Sequence, residues 1–529
     1  MARTHATLWI VFLMSLASAA AYGGAGGGAP PATAPARDNS AFILTPPARA
    51  TPRINGPSIF GVRANHPVLY RIPATGTRPL VFSATSLPAG VILDAATGQL
   101  SGSVAKEGTY KIVLHAANSA GMADRALRIV VGDTIALTPP LGWNSYYVWS
   151  DQLTQDRAIA AAKAMVSTGL IDHGWTYINM DDGWQNARGG EFNALQPDPR
   201  KFTDIEAMVD QIHQLGLKAG LYSSPWVMTY AGRLGSSAEN PQGTAQRWPP
   251  GAAKNKKQLP FAIGTYKFMT NDARQFAAWG FDYLKYDWGP VEYPETKEMY
   301  DALHDQNRDI VFSISNNHVQ NMFADIAHVS TVANAWRTTT DITDNWGRVS
   351  TDIGFNQDKW APFARPGHYN DADMLVVGVV GWGTGKQHPS KLTVDEQFTH
   401  ISLWAMLSSP MLLGCDMTQM DPFTLSLLTN DEVLAIDQDA LVKQAVNVSR
   451  QGQLEVYRKE LEDGSLAVGL FNRGPATASV TAQWSDLKVA GKQTVRDLWR
   501  QKDLGVYDQS FKADVASHGV VLVRVIPAK

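Results

Sequence analysis

The chain has 529 residues, of which 44% are hydrophobic and 18% are charged, and its formal net charge is −3. One compact domain usually spans about 100 to 200 residues, so we expect about three domains unless one is a large α/β barrel. The 46 basic and 49 acidic residues are spread evenly, which excludes the basic surface that nucleic acid or an anionic membrane requires. A neutral substrate fits this charge distribution better.

The N-terminus has the pattern of an export signal. It combines a basic residue, Arg3, with an apolar stretch over residues 8–16 and small residues at 17–21, as signal peptidase requires. The apolar stretch is shorter than the roughly 20 residues that span a bilayer, so we expect no integral membrane segment. We predict a signal peptide over 1–21, a disordered Gly/Ala/Pro-rich linker over 22–50, and a periplasmic or secreted protein.

The chain cannot form an intramolecular disulfide, because it has a single cysteine. Cys415 is the only cysteine of the sequence and follows an apolar run. We therefore expect it to be a small core residue.

Residues 51–133 have the pattern of a small β-sandwich. Short alternating apolar runs lie at 79–83, 109–115 and 125–131 and are separated by turn residues, which is typical of strands. The stretch from Leu87 to Gly102, followed by Glu107 to Tyr110, resembles the immunoglobulin-type module attached to many exported bacterial proteins. Such a module is a spacer or docking unit in many contexts and says little about activity.

Residues 137–437 alternate apolar strands with amphipathic helices, which predicts a (β/α)8 TIM barrel. Residues 438–529 return to period-two alternation, which predicts a C-terminal antiparallel β domain. The predicted fold class is therefore multidomain: a TIM-barrel catalytic domain flanked by an N-terminal β-sandwich and a C-terminal β domain. The predicted barrel strands lie at 141–144, 176–180, 218–222, 283–286, 310–313, 332–336, 368–370 with 374–376, and 411–413.

Two aspartates have matching settings in this barrel. Asp287 and Asp341 each follow a short apolar run, and strand ends meet at one rim of a barrel, so we expect both carboxylates to face one pocket. Cleavage of a glycosidic bond needs such a pair. Lys285 lies two residues before Asp287, hence on the same side of a strand, where its charge keeps the carboxylate ionised. A structural salt bridge is the alternative for this pair, and a helix N-cap is the alternative for Asp341, which follows Arg337.

A second acidic pair, Asp181 and Asp182, ends the second predicted strand and precedes Trp184. Paired carboxylates accept hydrogen bonds from neighbouring sugar hydroxyls, and an aromatic face covers the apolar side of a pyranose. The alternatives for this pair are metal binding and helix capping.

Residues 367–374 could suggest a metal through His368, Asn370, Asp371 and Asp373. The ligand spacings typical of zinc and of calcium loops are missing, however, and so are a phosphate-binding loop and a nucleophile elbow. We therefore expect no metal and no cofactor, which leaves acid/base chemistry by carboxylates.

Five motifs in order, covering residue 137 to the C-terminus, resemble glycoside hydrolase family 27, the α-galactosidase family. The resemblance implies a retaining exo-enzyme that removes terminal α-galactosyl residues from oligo- or polysaccharides by double displacement. It implies that Asp287 is the nucleophile and Asp341 the general acid/base, with carboxyl groups about 5 to 5.5 Å apart. The motifs are Thr138 to Ser145, Asn179 to Trp184, Tyr283 to Asp287, Trp336-Arg337 with Asp341-Ile342, and Tyr369 to Met374.

The resemblance also implies the sugar-binding residues. By their motifs, Asp181 and Asp182 match contacts to the 4- and 6-hydroxyls of galactose. Lys285 matches a donor to a ring hydroxyl, and Arg337 matches the arginine on the 2-hydroxyl side. Tyr222 and Asp373 match residues that line the pocket.

The chain departs from this family at three places. Tyr146 stands where a tryptophan is common, which alters the stacking platform. Tyr230 and Gly289 stand where many members carry a disulfide pair, so packing is expected to hold that loop. Ser315 replaces a glutamate that faces the 2-substituent, and the smaller residue leaves room for an α-N-acetylgalactosaminide.

Two alternative functions remain open. A β-L-arabinopyranosidase is the alternative within enzymes, although Asp181 favours galactose because its partner hydroxyl requires an oxygen on carbon 6. An inactive carbohydrate-binding or adhesion protein is the alternative from another class, and the intact Asp287 and Asp341 argue against it. The long polar segment 231–267 is expected to overhang the pocket.

Overall fold

The structure is a computed structural model that describes residues 38–244, 260–316, 318–383 and 386–528. The predicted signal peptide and residues 22–37 of the predicted linker lie outside the described residues. Residues 38–50 run along the barrel surface, where Thr45 is buried and its hydroxyl donates to the carbonyl of Ser426 at 2.7 Å.

The N-terminal domain is the expected immunoglobulin-like β-sandwich. One sheet has the order β2-β9-β8-β5, another has the order β3-β7-β6, and β1 pairs with β4. Alternate residues of β8 and β9 point inward and form a separate core that includes Ile112, Leu114 and Leu127. The strands are β1 (Arg53–Ile54), β2 (Ile59–Val62), β3 (Tyr70–Arg71), β4 (Ala74–Thr75), β5 (Val81–Thr85), β6 (Val91–Leu93), β7 (Gln99–Gly102), β8 (Gly108–Asn118) and β9 (Gly121–Val131).

The middle of the chain forms the predicted barrel. Eight parallel strands have the order β20-β19-β18-β17-β14-β11-β10-β23, and their short apolar runs are buried on both faces, as parallel strands covered by helices require. The strands are β10 (Leu141–Asn144), β11 (Tyr177–Asn179), β12 (Gln185–Gly189), β13 (Ala194–Pro197), β14 (Lys218–Ser223), β15 (Ser237–Ala238), β16 (Tyr266–Lys267), β17 (Tyr283–Asp287), β18 (Val311–Ser315), β19 (Ala335–Arg337), β20 (Tyr369–Asp371), β21 (Val379–Val380), β22 (His388–Pro389) and β23 (Met411–Leu413).

The helices of the barrel begin at capping residues that the sequence provides. Thr154 caps α2 and Asp204 caps α3 through their side chains, and Thr393 with Glu396 forms a reciprocal capping box on α8. The helices are α1 (Tyr146–Trp149), α2 (Gln155–Ser167), α3 (Ile205–Gln214), α4 (Met269–Ala278), α5 (Tyr293–His304), α6 (Val319–Val329), α7 (Trp346–Arg348), α8 (Val394–Leu407), α9 (Pro422–Leu428) and α10 (Asp431–Asp437), with short 3-10 turns at Ser40–Phe42, Ser150–Gln152, Leu170–His173, Asp358–Phe363 and Met417–Gln419 and a π turn at Val349–Ile353.

The barrel closes beyond the end of its seventh strand. Strand β20 ends at Asp371, and the segment at 374–376 that the sequence analysis joined to it is not a regular strand. Leu375 instead forms a single parallel bridge to Leu413, with its N–H donating to the Leu412 carbonyl at 2.8 Å. The break between the two pieces contains Asp373, whose φ of +80° cannot belong to a strand.

The C-terminal domain is antiparallel, as predicted. A sheet with the order β24-β25-β26-β31-β28-β29 faces a second pair, β27-β30, around a core that includes Val468, Leu470 and Trp484. Its elements are β24 (Val446–Gln451), β25 (Leu454–Glu460), β26 (Leu466–Asn472), β27 (Ala478–Gln483), α11 (Trp484–Leu487), β28 (Gln493–Asp497), β29 (Lys502–Tyr507), β30 (Ser510–Val515) and β31 (Val520–Pro527).

The immunoglobulin-like domain lies at the N-terminal end of the barrel strands. Its Arg63 donates to Asp309 Oδ1 at 2.8 Å and to the carbonyls of His304, Gln306 and Arg308, all of which precede β18. On an α/β barrel, catalytic groups lie at the opposite end of the strands. The domain therefore docks on the face away from the catalytic rim.

Two further expectations bear on the class of protein. Cys415 is buried, and burial raises the pKa of its thiol to about 12, so it is an inert core residue. Across the described part of the chain, no helix has both the length and the apolar character that a membrane crossing requires.

Candidate active site

Asp287 is the last residue of β17, at the C-terminal end of the barrel. Its Oδ2 accepts a hydrogen bond from the hydroxyl of Tyr222, on the neighbouring strand β14, at 3.2 Å. Desolvation raises the pKa of Asp287 to about 6, and the nearby Lys285 and Arg337 charges act against that rise. A carboxylate in this setting is ionised at neutral pH and only sparsely hydrogen-bonded, which are the properties of a nucleophile.

Asp341 lies four residues beyond the end of β19 rather than at the strand end that the sequence analysis assumed. Strand β19 ends at Arg337, and the Thr338 N–H makes one further bond to the neighbouring strand β20, at the Asp371 carbonyl, at 2.9 Å. The Asp341 side chain is 59% exposed, and its Oδ1 accepts from Arg337 Nη2 at 3.1 Å. The side chain therefore stands at the mouth of the pocket, where a leaving group enters or departs.

The two carboxyl groups are linked through Ser315 and Arg337. Asp287 is the register partner of Ser315 on β18, whose hydroxyl lies 3.4 Å from Arg337 Nη1, and Arg337 Nη2 binds Asp341. In agreement, the charge of Asp341 raises the pKa of Asp287 and the charge of Arg337 lowers it. A cation near two carboxyl groups stabilises their ionised forms, so both can be negatively charged at once.

The second acidic pair follows strand β11. Asp181 and Asp182 are both buried, and Asp181 Oδ2 accepts from Lys285 Nζ at 2.8 Å and from Asn144 Nδ2 at 2.8 Å. The lysine that the sequence analysis assigned to Asp287 thus bonds to Asp181 and acts on Asp287 through its charge alone. Lys285 reaches Asp181 because strands β11 and β17 both flank β14.

The two carboxyl oxygens of Asp182 differ in their hydrogen bonds. Its Oδ2 accepts from the Ala231 N–H at 2.8 Å, whereas Oδ1 is buried and has no hydrogen-bond partner. Desolvation, helped by the negative charges of Asp181 and Asp287, raises the pKa of Asp182 to about 7. A buried carboxyl oxygen without a partner is costly unless a ligand completes it, and a sugar hydroxyl is a suitable donor.

Asp373 organises the opposite wall. Its Oδ2 accepts from the Tyr147 hydroxyl at 2.6 Å, from Arg337 Nη2 at 2.9 Å and from the Ile342 N–H at 2.7 Å. Its left-handed φ of +80° turns the side chain back beneath Arg337. Asp373 therefore holds Arg337 in place through Oδ2.

The remaining predicted residues complete the rim. Ser315, the last residue of β18, has its hydroxyl 3.4 Å from Arg337 Nη1. Tyr146 begins α1, and its ring centroid lies 6.0 Å from Lys285 Nζ, while the centroid of Tyr222 lies 5.5 Å from the same atom. The structure thus brings all ten predicted residues to one end of the barrel.

Sequence reasoning missed several supporting residues. Asn144 holds both Asp181 and the Tyr146 N–H, and Tyr147 binds Asp373. The signal was available only in part: Asn144 lies inside the motif from Thr138 to Ser145 and Tyr147 lies two residues beyond it, but neither has a distinguishing spacing. Their role depends on contacts with residues far away in the chain.

The loop after β14 is held by aromatic packing. Tyr230 contacts Trp226 edge-on at 5.2 Å and Phe261 at 6.1 Å between ring centroids, and its neighbour Ala231 holds Asp182. Glycine is required at 289, because a Cβ there would lie 2.3 Å from His318 Cδ2. Residues 245–259 of the predicted overhang, with Lys254, Lys256 and Lys257, lie outside the described residues.

The candidate metal residues have other partners. His368 bonds through Nδ1 to the Ala333 carbonyl, and Asn370 bonds to Trp336 and Gln444. Within the described ranges, no group of three or more His, Cys, Asp or Glu side chains is placed to hold a metal ion.

A parallel barrel with two carboxyl groups at its rim, one enclosed and one at the mouth, is the architecture of a glycoside hydrolase. Comparisons with known proteins identify the family. The family model described as alpha galactosidase A matches residues 149–248 and 255–439, the alpha galactosidase C-terminal β-sandwich model matches 451–525, and an Ig domain model matches 43–132.

Individual relatives agree with these matches. Alpha-galactosidase 2 of Arabidopsis thaliana is 34% identical over 74% of this chain and 90% of its own length. A Bacteroides fragilis structure, provisionally identified as an alpha-galactosidase/melibiase, is 32% identical, covers 92% of this chain and 99% of its own, and has a TM-score of 0.79. A family 27 β-L-arabinopyranosidase from Geobacillus stearothermophilus is 26% identical, covers 74% and 98%, and has a TM-score of 0.63.

The chain belongs to glycoside hydrolase family 27, the α-galactosidase family, and is a glycoside hydrolase. Its immunoglobulin-like and C-terminal β domains flank the catalytic barrel.

Proposed function

We propose that this protein is a retaining α-galactosidase that removes terminal α-galactosyl residues from oligo- or polysaccharides. The observation that carries the proposal is the continuous set of contacts that joins Asp287 to Asp341 at the rim. Asp287 is the register partner of Ser315, the Ser315 hydroxyl lies 3.4 Å from Arg337 Nη1, and Arg337 Nη2 donates to Asp341 Oδ1 at 3.1 Å. Two carboxyl groups acting on one pyranose are the requirement for double displacement.

Asp287 is the nucleophile in this proposal. It is the more enclosed of the two carboxyl groups and has a single hydrogen bond, from Tyr222, which leaves an oxygen to attack the anomeric carbon. Asp341 is the general acid/base, because its exposed position at the mouth suits proton transfer to a departing aglycone and then from an incoming water. The bond between the anomeric carbon and the aglycone oxygen breaks as the bond to Asp287 forms, and Asp341 gives its proton to that oxygen. Water then attacks the same carbon, gives a proton to Asp341 and displaces the Asp287 carboxylate, which releases the sugar.

The proposed sugar-binding roles are those that the resemblance to family 27 assigns, and the contacts at the rim support them. Asp181 and Asp182 accept from the 4- and 6-hydroxyls, and the unpartnered Asp182 Oδ1 is the strongest single indication of a missing donor. Lys285 donates to a ring hydroxyl, and Arg337 with Ser315 faces the 2-substituent. Tyr146 and Tyr222 cover the apolar side of the ring, and Asp373 keeps Arg337 in place.

The nucleophile can be tested by chemical rescue. Asp287→Ala is expected to abolish turnover of a chromogenic α-galactoside, and added azide is expected to restore it with a product of inverted anomeric configuration, because azide attacks from the face that Asp287 occupied. The control is Asp305→Ala, which removes an exposed carboxylate at the end of α5 and should leave turnover unchanged. Retention of activity in Asp287→Ala would reassign the nucleophile.

A second substrate is favoured by one observation. Ser315 is small and lies beside Arg337, so the pocket has room for a 2-acetamido group, and an α-N-acetylgalactosaminide is the second candidate substrate. Comparing kcat/KM for α-galactoside, α-N-acetylgalactosaminide and β-L-arabinopyranoside with the same leaving group decides among them. Absence of turnover of all three would support a carbohydrate-binding protein instead.

We also propose that the protein is exported. The support is the basic, apolar and small-residue order of residues 1–21, together with an immunoglobulin-like domain. Cleavage after one of the small residues at 17–21, read by N-terminal sequencing of the protein recovered from outside the cytoplasm, tests this. An intact N-terminus on a cytoplasmic protein would refute it.

A further inference from the structure

The loop that carries Asp341 is held by a residue outside every motif described above. Arg348 belongs to the short helix α7, and its Nη2 donates to the backbone carbonyl of Asp341 and, at 2.8 Å, to the hydroxyl of Thr340. The guanidinium thus joins two neighbouring residues of the loop to a turn seven residues further along the chain.

The peptide group between Asp341 and Ile342 is held from both sides. Arg348 binds its carbonyl oxygen, and Asp373 Oδ2 accepts from its N–H at 2.7 Å. A peptide group is planar and includes the Cα atom before it, so fixing both polar atoms fixes the position of the Asp341 Cα and limits the directions in which the side chain can leave the backbone. This matters because the side chain itself is 59% exposed and has little packing to restrict it.

The turn that carries Arg348 is supported by the C-terminal domain. Asn345 caps α7 by accepting from the Arg348 N–H at 3.1 Å. The next residue, Trp346, stacks on His518, with ring centroids 4.5 Å apart and planes 15° from parallel. His518 in turn bonds to Glu396 of the capping box on α8 at 2.7 Å.

We propose that Arg348 is a positioning residue for general acid/base catalysis and acts by fixing the peptide group that follows Asp341. The stack of Trp346 on His518 connects this function to the C-terminal domain. The inference rests on the proposed role of Asp341 as the acid/base. A small misplacement of a proton donor lowers the rate of a step that needs the proton and leaves other steps almost unchanged.

The test compares substrates that differ only in their need for a proton. Departure of dinitrophenolate from an α-galactoside needs almost no acid, whereas departure of an alkoxide from a methyl α-galactoside depends on it. Arg348→Ala is expected to lower kcat/KM by about 10- to 100-fold for the methyl substrate and by less than about threefold for the dinitrophenyl substrate. Arg348→Lys, which keeps one donor and the charge, is expected to lie between the wild type and Arg348→Ala.

A second arginine provides the control. Arg365 also donates to backbone carbonyls, those of Phe363 and Ser330, but precedes β20 at the other end of the barrel. Arg365→Ala is expected to leave the ratio of the two kcat/KM values unchanged. Equal losses on both substrates in Arg348→Ala, or no loss, would overturn the inference, and if that variant does not fold the same comparison is made on Arg348→Lys.

Asp341→Ala, measured in parallel, separates this inference from the proposed function. If Asp341→Ala affects both substrates equally, the acid/base assignment itself is wrong. If Asp341→Ala discriminates between the substrates and the Arg348 variants do not, only the role of Arg348 is wrong.

Discussion

The ammonium nitrogen of Lys285 lies 2.8 Å from Oδ2 of Asp181, and this pair connects the second and fourth strands of the barrel across strand β14 between them. Lys285 therefore has a fixed position in the pocket, and its charge reaches Asp287 without a direct bond. Asp287 keeps a pKa of about 6 even though this cation lowers it. The pH dependence of catalysis should therefore depend on Lys285.

Lys285→Met is expected to move the acidic limb of kcat/KM to higher pH. In the wild type the limb should lie near pH 6, since Asp287, with a pKa of about 6, must be ionised to attack and gains its proton as the pH falls. Removing a positive charge raises the pKa of the carboxyl further, so activity is lost at a higher pH. The measurement is kcat/KM from pH 4 to 8. Lys218→Met is the control, because Lys218 begins strand β14 at the end of the barrel away from the catalytic rim. If the acidic limb of Lys285→Met lay at the same pH as that of the wild type, Lys285 would not affect the pKa of Asp287.

Asp373→Asn is expected to reduce both stability and activity. Asparagine tolerates the positive φ at this position, but the substitution removes the buried charge that faces Arg337 at 2.9 Å. Leaving a buried cation without its counter-charge costs about 3 to 5 kcal/mol, and a displaced Arg337 lowers kcat/KM. Thermal unfolding and steady-state kinetics measure the two effects. Asp344→Asn changes another buried aspartate in the loop after β19 and should spare kcat/KM; equal losses in both variants would argue against a specific role for Asp373.

Ser315→Glu is expected to narrow the substrate range. The added side chain fills the space beside Arg337 Nη1, now 3.4 Å from the serine hydroxyl, so a 2-acetamido group no longer fits. Steric exclusion of this size changes the ratio of kcat/KM values by about tenfold or more. The ratio between α-galactoside and α-N-acetylgalactosaminide with a common leaving group measures it. The control Ser315→Ala keeps the space beside Arg337 and should keep the wild-type ratio of kcat/KM values. If Ser315→Glu had the wild-type ratio as well, the 2-substituent would not lie beside residue 315.

Arg63→Ala is expected to loosen the immunoglobulin-like domain without affecting catalysis. Its guanidinium bonds to Asp309 and three carbonyls at the N-terminal end of β18, and hydrogen bonds of charged groups contribute about 1.5 to 3 kcal/mol each. Faster proteolysis near residue 133, with kcat/KM on a small substrate unchanged, is the expected result. The exposed Arg53 offers a control, Arg53→Ala. A large loss of activity in Arg63→Ala would mean that the domain acts on the catalytic rim.

The pattern of hydrophobic residues predicts the three domains and the barrel well, because burial of apolar strands is a local requirement. The strands ending at Asn144, Asp287 and Leu413 were predicted within one residue of their bounds. For the seventh strand, the predicted piece at 368–370 lies within one residue of β20, but the piece at 374–376 is not a regular strand, because the left-handed backbone at Asp373 separates it from β20. The position of Asp341 beyond β19 was missed for a related reason, since apolar runs do not show where a chain leaves a sheet.

The amino-acid sequence alone predicted the architecture, and its motifs together with the resemblance to family 27 predicted the ten candidate site residues, two of which are the paired carboxyl groups. Their common location at one rim could be expected because strand ends in a barrel converge whatever the details of packing. Tertiary structure decided which charges meet: that Lys285 bonds to Asp181, that Asp373 supports Arg337, and that Arg348 holds the peptide group after Asp341. Hydrogen bonds require atoms about 3 Å apart, and such distances between residues remote in the chain exist only once the barrel has closed and the C-terminal domain has packed against it.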